Sequence, residues 1–460
     1  MPKKIAVLGG GCTGLAAGLR LARKGYEVQV IEKLTRVGGL AGGVAINGNI
    51  YEYGPHVFHT TDTEILNDIK SIMGDDLISF QRTITIRFLN NYFKFPLSTA
   101  EVFLKLPVKT VIRALISLSW NLIKGPFWKP KVENSETVLM REYGKVIYEI
   151  FFKSYIERVW GVSPSEFSPN FARQRIPRLN MLEIVDKIFA PIKSHLKKNI
   201  KTDNYVEKVE GDLYTTKKGF SLIVERIAEE IQKLGGAVYL DSEVIRINRD
   251  GNRVRSVEVK DKNSAKREIP VDGVISTIPV NETVMRTYPC FENGIIEAAK
   301  GLRFRALVFV GLVVKRPKVL LSSFMYFRNH SFNRITDQAQ FAIDIKPKGS
   351  TILVAEISCG TEDRYWQDET YAIEAVISDL EKESILKRDE ILESYVFRAE
   401  HAYPLYSLNY ELILDTLLST TSSLMNFETA GRQGKFQYIN THIAMKMGYE
   451  AADKIIKKLQ

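Results

Sequence analysis

The sequence predicts an α/β protein in which one domain built on a parallel sheet is interrupted by a second domain, made of a helical part and a mixed, largely antiparallel sheet. A chain of 460 residues suits two or three cores. Near its start, the apolar run 4–8, the helical spacing of apolar residues in 15–23 and the strand-like run 27–31 form one βαβ unit. The same alternation returns after residue 220, so we expect the first domain to be discontinuous.

The elements that follow give the expected domain boundaries. Two alternating runs around Asn90 and Asn91 predict a β-hairpin. Residues 101–200 are mostly helical, aromatic and basic, residues 220–250 predict a helix and two strands, and strands dominate 281–424 before a final helix from about Thr441 to Leu459. We therefore expect 1–79, 211–280 and 425–460 to form the first domain, 80–210 a helical cap region and 281–424 a β-rich substrate domain.

Composition and charge limit the classes of function. The net charge of +10 favours anionic small molecules or anionic surfaces as partners, and no segment resembles an established nucleic-acid module, so we expect no nucleic-acid partner. Cys12, Cys290 and Cys359 are far apart and give no even count for a disulfide framework, so we expect a reducing compartment and no metal site. The start of the chain lacks a hydrophobic export region, which predicts a cytoplasmic protein.

A glycine motif after the first predicted strand indicates a Rossmann-like dinucleotide site. Gly9 permits a tight turn, Gly11 lets a pyrophosphate approach the backbone, and Gly14 allows close helix packing. The amides and the dipole of the helix that starts there favour an anion. Glu32 ends the second predicted strand, where a carboxylate can accept hydrogen bonds from ribose hydroxyls. The residues predicted to bind the cofactor here are Gly9, Gly11, Cys12, Thr13, Gly14 and Glu32.

Two further segments resemble the FAD-binding proteins of the amine oxidase group. The stretch from Glu32 through Arg36 to Gly39 resembles the extension whose glycines lie against the FAD diphosphate. Near the C-terminus, Gly431-Arg432-Gln433-Gly434 before the final helix resembles the last flavin-binding segment of that group. The resemblance implies FAD as the cofactor; NAD, or plain turns at both places, remain the alternatives. It adds to the predicted cofactor contacts Lys33, Arg36, Gly38, Gly39, Leu40, His56, Gly431, Arg432, Tyr438 and Asn440.

The segment from Tyr53 to Thr60 resembles the histidine loop of UDP-galactopyranose mutases, flavoenzymes that share a fold with protoporphyrinogen and amine oxidases. In that family the first histidine lies beside the flavin, which implies a flavin-side role for His56. A lone histidine is otherwise most often a hydrogen-bonded core residue, so this alternative stays open.

Other mutase-like segments imply a site for an anionic substrate. Residues 151–161 are similar to the mutase segment whose aromatics hold the uridine, although aromatics at helical spacing are also typical of a core. Two arginines resemble those that hold the diphosphate, and a guanidinium fork matches phosphate oxygens. The resemblance implies His56, Arg175 and Arg334 as catalytic residues, and as substrate contacts Tyr155, Trp160, Arg175, Tyr326, Arg334, Tyr403 and Tyr438.

Two enzymatic functions fit this scaffold. A mutase would rearrange a nucleotide sugar, or act on a similar anionic substrate, at N5 of the reduced flavin. An oxidoreductase of the protoporphyrinogen oxidase or amine oxidase type would remove a hydride with the oxidised flavin. A purely structural flavin is a third hypothesis. After the C-terminal glycines, mutases commonly carry tyrosine, arginine and tyrosine where this chain has Phe436, Gln437 and Tyr438. The oligomeric state stays open.

Residues 107–131 form an apolar, aromatic and basic segment without an acidic residue. Its apolar core is too short and too interrupted to span a bilayer. A helix lying on the inner membrane surface is one interpretation, and core packing with a solvated basic face is the other.

Overall fold

The computed structural model of the chain describes residues 2–95, 105–124, 130–175 and 211–460, and for residues 122, 124, 174 and 175 it describes the backbone alone. Within these ranges the strands are β1 (Lys4–Leu8), β2 (Glu27–Ile31), β3 (Gly43–Ile46), β4 (Asn49–Glu52), β5 (Ile78–Phe80), β6 (Ile84–Phe88), β7 (Asn91–Lys94), β8 (Leu213–Thr215), β9 (Ala237–Tyr239), β10 (Ser242–Asp250), β11 (Arg253–Asp261), β12 (Lys266–Pro270), β13 (Gly273–Ser276), β14 (Thr287–Tyr288), β15 (Phe304–Val314), β16 (Phe324–Phe327), β17 (Arg334–Asp337), β18 (Thr351–Cys359), β19 (Ile391–Pro404) and β20 (Phe427–Thr429).

The helices of the same ranges are α1 (Cys12–Arg23), α2 (Thr63–Met73), α3 (Val108–Lys124), α4 (Ser135–Ile147), α5 (Ser154–Trp160), α6 (Pro169–Arg175), α7 (Ser221–Lys233), α8 (Val280–Met285), α9 (Asn293–Lys300), α10 (Arg364–Gln367), α11 (Glu369–Lys382), α12 (Tyr410–Ser422), α13 (Gly431–Gly434) and α14 (Thr441–Leu459). A π-helical segment, Tyr148–Lys153, joins α4 to α5.

The parallel sheet predicted from the first βαβ unit has the strand order β20-β13-β1-β2-β9. Alternation along β1 explains its two faces. Ile5 and Val7 belong to the core formed with helices α1, α7 and α14, whereas Ala6 and Leu8 face the core formed with the antiparallel strands β10 and β11. All five strands lie within residues 1–79, 211–280 and 425–460, although the domain boundaries themselves stay a prediction.

A second sheet, in the order β19-β15-β18-β17-β16-β6-β7, is antiparallel except where β16 runs parallel to β6. The predicted fold class, α/β with a mixed and largely antiparallel second sheet, is confirmed. The β6–β7 hairpin exists, but its turn is Leu89-Asn90 and Asn91 already pairs with Phe88. Both turn residues have positive φ, 47° and 58°, because a two-residue hairpin turn of this kind needs left-handed backbone at both positions.

Candidate active site

One cavity of about 750 Å³ contains most of the predicted site residues. Gly9, Glu32 and Thr277 line one side of it, directly after the carboxyl ends of β1, β2 and β13. Tyr326 of β16 and Arg334 of β17 line it from the second sheet. Ligands of parallel α/β sheets bind beyond the carboxyl ends of the strands, so this is where the fold is expected to bind a dinucleotide.

The three motif glycines differ in backbone conformation and in surroundings. Gly9 has φ +101°, a left-handed value that favours glycine, in the turn that leaves β1. A Cβ on Gly14 would collide with the carbonyl oxygen of Gly9, so helix α1 packs tightly on the turn. A Cβ on Gly11 would meet nothing within 4 Å, since this residue faces open space at the start of α1. A diphosphate can therefore reach the backbone here.

Glu32 is a buried carboxylate that the backbone holds at the cavity wall. Its side chain is 6% exposed. Oε2 accepts a hydrogen bond from the amide of Gly10 at 2.7 Å, and Oε1 accepts one from the amide of Leu34 at 2.9 Å. Each carboxylate oxygen has further lone pairs, so the group is oriented and can still accept hydrogen bonds from ribose hydroxyls.

The loop after Glu32 is tied to the glycine turn. Gly38 has φ +98°, and its amide donates to the carbonyl of Gly10 at 2.8 Å. Arg36 donates through Nη1 to the carbonyl of Gly39 at 2.9 Å, and its guanidinium lies 4.6 Å from the ring centroid of Tyr53. Arg36 lines the cavity and also fixes the shape of this loop.

The C-terminal glycine segment lies against the N-terminal motif. Gly431 has φ +83°, and a Cβ there would collide with the side chain of Thr13 in α1. The next residue, Arg432, donates through Nη2 to the carbonyl of Ala402 at 2.6 Å, and its guanidinium lies 4.2 Å from the ring centroid of Tyr438. Two segments separated by more than 400 residues thus build one wall of the cavity.

His56 lies among cationic neighbours. Burial, together with the charges of Arg334 and Arg432, lowers the pKa of His56 to about 3. The imidazole is therefore neutral at physiological pH. Its buried Nδ1 has no hydrogen-bond partner within the described ranges. A neutral imidazole with one ring nitrogen left over can orient a ligand by a hydrogen bond, but it carries no charge to stabilise an anion.

Arg334 and Glu356 form a buried bidentate ion pair between β17 and β18. Arg334 Nε lies 2.5 Å from Glu356 Oε1, and Nη2 lies 2.8 Å from Oε2. Burial alone would lower the pKa of Arg334, but the charge and hydrogen bonds of Glu356 together with Tyr326 and Tyr403 raise that pKa above its ordinary value. Gly54 of the histidine loop has φ +125°, and a Cβ there would lie 3.0 Å from Glu356 and 3.1 Å from Arg334. The pair thus sits directly against the loop that carries His56.

The structure brings most of the predicted residues together. The predicted residues that line the cavity are Gly9, Gly11, Cys12, Thr13, Glu32, Lys33, Arg36, Gly38, Gly39, Leu40, His56, Tyr326, Arg334, Arg432, Tyr438 and Asn440. Burial raises the pKa of the Cys12 thiol to about 12, so this lining residue stays protonated. Gly14 and Gly431 support the wall from behind, through the contacts with Gly9 and Thr13.

The predicted uridine-stacking pair does not reach the cavity. Trp160 is 8% exposed and packs edge-on against Phe167 and Phe171, at centroid distances of 5.9 and 5.1 Å. Tyr155 lies against the guanidinium of Arg328 at 4.8 Å. Helical spacing placed these aromatic rings toward a core, the alternative that the sequence left open.

Tyr403 and Arg175 are the remaining substrate candidates. Tyr403 lies behind the lining, with its ring 5.1 Å from that of Tyr438 and 5.2 Å from that of Trp160. Arg175 ends α6, and its side chain lies outside the described residues. A diphosphate contact by Arg175 stays a prediction.

Sequence reasoning missed several lining or supporting residues. Glu356 interrupts the apolar run of β18, and a carboxylate within a buried strand needs a partner, which was the available signal. Thr277 follows β13 at the carboxyl edge of the sheet, and its Oγ1 donates to the carbonyl of Leu8 at 2.8 Å. Arg82 and Arg286 also line the cavity, and nothing local in the sequence marks them.

These features fit FAD. Gly11 offers an open approach to a diphosphate, the oriented Glu32 suits a ribose, and the segment Gly431–Gly434 closes the site beside His56. The residues that would hold the adenosine diphosphate part are those of the glycine turn and the loop after β2, and those near the flavin ring are His56, Arg432 and Tyr438.

Comparisons with known proteins agree with this assignment. The chain is similar to a Klebsiella pneumoniae protein named "Probable UDP-galactopyranose mutase", with 27% identity over 184 residues; this match covers 39% of the chain and 46% of the relative, less than half of its length. Protoporphyrinogen oxidase 2 of Arabidopsis thaliana is 22% identical over 100% of the chain and 94% of its own length. A crystal structure of reduced UDP-galactopyranose mutase has a TM-score of 0.80 at 20% identity, covering 99% of this chain and 94% of that one.

The family model described as flavin containing amine oxidoreductase matches residues 12–411, most of the chain. The relatives of the chain include both mutases and oxidases, which are enzymes. The chain therefore belongs to the flavin-containing amine oxidoreductase family and is an FAD-dependent enzyme.

Proposed function

We propose that this flavoenzyme is of the mutase type and acts at the flavin on a nucleotide sugar or a similar anionic substrate. The observation that carries the proposal is the arginine-rich end of the cavity. Arg82, Arg334 and Arg432 line it together with Tyr326 and Tyr438. Aromatic rings beside guanidinium forks suit a base and a diphosphate in one ligand.

Basic side chains outnumber carboxylates in the lining of the cavity, which supports an anionic ligand. The acidic lining residues are Glu32, Glu243, Glu282 and Glu400. Two of them, Glu243 and Glu282, pair with Arg286 at 3.3 and 3.0 Å near the nucleotide-binding turn. Of the arginines that line the cavity, Arg334 is paired with the buried Glu356.

The chain's own residues would bind and orient the substrate. FAD supplies, through N5, either a nucleophile toward a sugar carbon or an acceptor for a hydride. Arg334 is held rigid by Glu356, so it loses little freedom when it contacts a phosphate oxygen. The neutral imidazole of His56 would orient the flavin or the sugar through a hydrogen bond. Glu356 is thus a positioning residue.

The proposal is tested with UDP and UDP-galactose as probes. The dithionite-reduced enzyme is incubated anaerobically with UDP-galactose, and the products are separated chromatographically. We expect a sugar-nucleotide isomer of the same mass, formed only by the reduced enzyme, with no net oxidation of substrate. If UDP binds neither oxidation state, or if no isomer forms from any sugar nucleotide offered, the mutase proposal is wrong.

A matched pair of variants localises the binding. Arg334→Lys keeps the charge beside Glu356 but removes the fork, so UDP affinity should fall about ten-fold or more. Arg286→Lys makes the same change in another arginine of the cavity, which pairs with Glu243 and Glu282. We expect this variant to have unchanged affinity for UDP. Equal losses in both variants would contradict a substrate site at the arginine end.

Net oxidation of an unknown substrate is the second candidate function. The specific observation that favours it is the similarity to protoporphyrinogen oxidase 2, which covers the whole chain, whereas the mutase match covers 39% of it. In this case Arg334 would bind a carboxylate or phosphate away from the reacting carbon. Stoichiometric bleaching of the oxidised flavin by a substrate, with a two-electron-oxidised product, distinguishes this function from isomerisation.

We also propose that the enzyme works in the cytoplasm at the inner face of a membrane. Its cysteines support a reducing compartment, because Cys12, Cys290 and Cys359 are all free thiols. Within the described ranges, no helix is both long and apolar enough to cross a membrane. Residues 107–131 would then make peripheral contact.

A further inference from the structure

Helix α3 carries the largest concentration of exposed apolar side chains in the described part of the chain. Val108, Ile112, Ile116, Trp120 and Ile123 are each between 52% and 74% exposed. Their spacing of three or four residues places them on one face of the helix. Monomeric proteins seldom expose a continuous apolar face of this kind without a partner for it. We call these five residues the outer face of α3.

The opposite face of α3 is already covered by the protein. Ala114 is buried in the core that α3 shares with α4, and Leu118 of the same helix is buried as well. Ser117 accepts a hydrogen bond from the amide of Val146 at 3.4 Å, and the side-chain amide of Asn121 donates to the carbonyl of Met140. Because these contacts fix the rotation of the helix, the outer face is held outward by packing on its other side.

The charge around this face selects the kind of partner. Residues 102–132 contain no Asp or Glu and six basic residues, Lys105, Arg113, Lys109, Lys124, Lys129 and Lys131. Lys109 and Arg113 lie on the exposed side of the helix, next to Ile112 and Ile116. A helix with exposed isoleucines, an exposed tryptophan and basic but no acidic neighbours has the composition of one that lies in the interface of an anionic bilayer.

We propose that the outer face of α3 inserts into the headgroup region of an anionic lipid bilayer, with Lys109 and Arg113 at the lipid phosphates. The inference deepens the proposed membrane contact and does not depend on the chemistry at the flavin. Its partner is a lipid surface, since the basic flank would repel a second copy of the same basic helix.

The test is flotation of the FAD-loaded full-length protein with two kinds of vesicle, one of phosphatidylcholine alone and one that also contains about 30 mol% phosphatidylglycerol. The anionic lipid gives the second kind a negative surface potential. We expect flotation with the anionic vesicles and a blue shift of tryptophan fluorescence on their addition. Lys109→Gln should weaken vesicle binding roughly five-fold, and high salt should weaken it in the same direction.

Two double variants separate the proposal from a general effect of apolar surface. Ile112→Gln with Ile116→Gln should lower vesicle binding about ten-fold or more, because two inserted side chains are lost. Leu321→Gln with Leu412→Gln removes two side chains that are 68% and 69% exposed elsewhere, and binding should not change. Flavin absorbance of each variant shows that it is folded, and UDP binding reports separately on the proposed function.

Three results would overturn the proposal. The wild-type protein could stay wholly in the aqueous fraction with anionic vesicles. The control pair could lower binding as much as the α3 pair. Sedimentation could show a dimer that the α3 pair abolishes, in which case a second copy of the chain, and not lipid, covers this face.

Discussion

The two ends of the cavity are built in different ways. The nucleotide end comes mainly from one continuous stretch, in which β1, the glycine turn, α1 and β2 position Gly9, Gly11 and Glu32 within 24 residues. The arginine end is assembled from three parts of the chain that are far apart in sequence: the histidine loop, strands β16 to β18 and the segment after β20. The first end depends on local backbone geometry, whereas the second depends on long-range packing and on one buried ion pair.

This difference predicts different responses to mutation. A change at Gly11 can remove the cofactor and leave the fold intact, because this glycine faces open space. At the arginine end, ligand binding and stability are coupled, because the same guanidinium that faces the cavity balances a buried charge.

The largest effect is expected from Gly11→Val. A Cβ at Gly11 has open space, and the residue has φ −76°, which valine adopts without strain. The folded apoprotein should therefore form, but the side chain occupies the approach of the diphosphate, so FAD affinity should fall by roughly a hundred-fold or more. FAD content after gel filtration and the Kd for added FAD measure this.

Gly294→Val is the matched control, since Gly294 also has open space and lies in α9, away from the cavity. This control should keep its flavin. If the Gly11→Val protein is yellow and has normal FAD affinity, FAD does not bind at the glycine turn, and the contrast between the two ends of the cavity is wrong.

Glu356→Gln should have the next largest effect. It leaves the buried guanidinium of Arg334 without a counter-charge, which is expected to lower the free energy of unfolding by about 3–5 kcal/mol. Urea denaturation measures the change. Glu374→Gln breaks a pair of the same bidentate geometry with Arg388, at 2.9 and 2.7 Å, but solvent screens this half-exposed pair, so the free energy of unfolding should change much less.

The double variant Arg334→Met with Glu356→Leu separates stability from binding. Because no charge is left buried, we expect it to regain most of the stability that Glu356→Gln loses, while UDP binding stays lost. Recovery of UDP binding together with stability would mean that Arg334 has only a structural role.

The same contrast explains what the sequence could predict. The glycine turn, Glu32 and the helix Thr441–Leu459 were predictable residue by residue because their signals are local: turn geometry, strand ends and helical periodicity. Arg334 and Tyr326 were found only through resemblance to mutases. Glu356 was missed because its role appears only when β17 and β18 pair, and Tyr155 and Trp160 have a helical spacing that suits a core and a ligand site equally.

The buried carboxyl group of Glu52 is expected to make the stability of the protein depend on pH. This carboxyl is 3% exposed, and burial raises its pKa to about 8 although the amides of Phe220 and Ser221 donate to it. The folded state therefore holds a proton that the unfolded state releases above pH 4.5. As a result, the contribution of Glu52 to the free energy of unfolding is full below pH 4.5 and is lost as the pH rises toward 8. The free energy of unfolding should fall by up to about 1.4 kcal/mol per pH unit in this range.

Glu52→Gln should remove this slope, so that the variant and the wild type differ little at pH 4.5 and the variant is the more stable at pH 8. The difference between the two proteins isolates Glu52 from His56, whose lowered pKa acts in the opposite direction below pH 6.5. If the free energies of unfolding of the variant and the wild type differ by the same amount at both pH values, Glu52 is ionised in the folded protein.

The smallest effects distinguish a lining residue from a core residue. Tyr326→Phe removes one hydroxyl at the cavity and should weaken UDP binding by about three- to ten-fold with unchanged stability. Trp160→Phe removes part of a ring packed on Phe167 and Phe171, and should lower the free energy of unfolding by about 1–2 kcal/mol with little change in UDP affinity. Isothermal titration and urea denaturation of both variants give the four values.

If Trp160→Phe weakens UDP binding more than Tyr326→Phe does, the uridine lies where the mutase resemblance implies. The arginine end would then extend past Tyr403 to α5, and the core packing of Trp160 would have to open for the ligand.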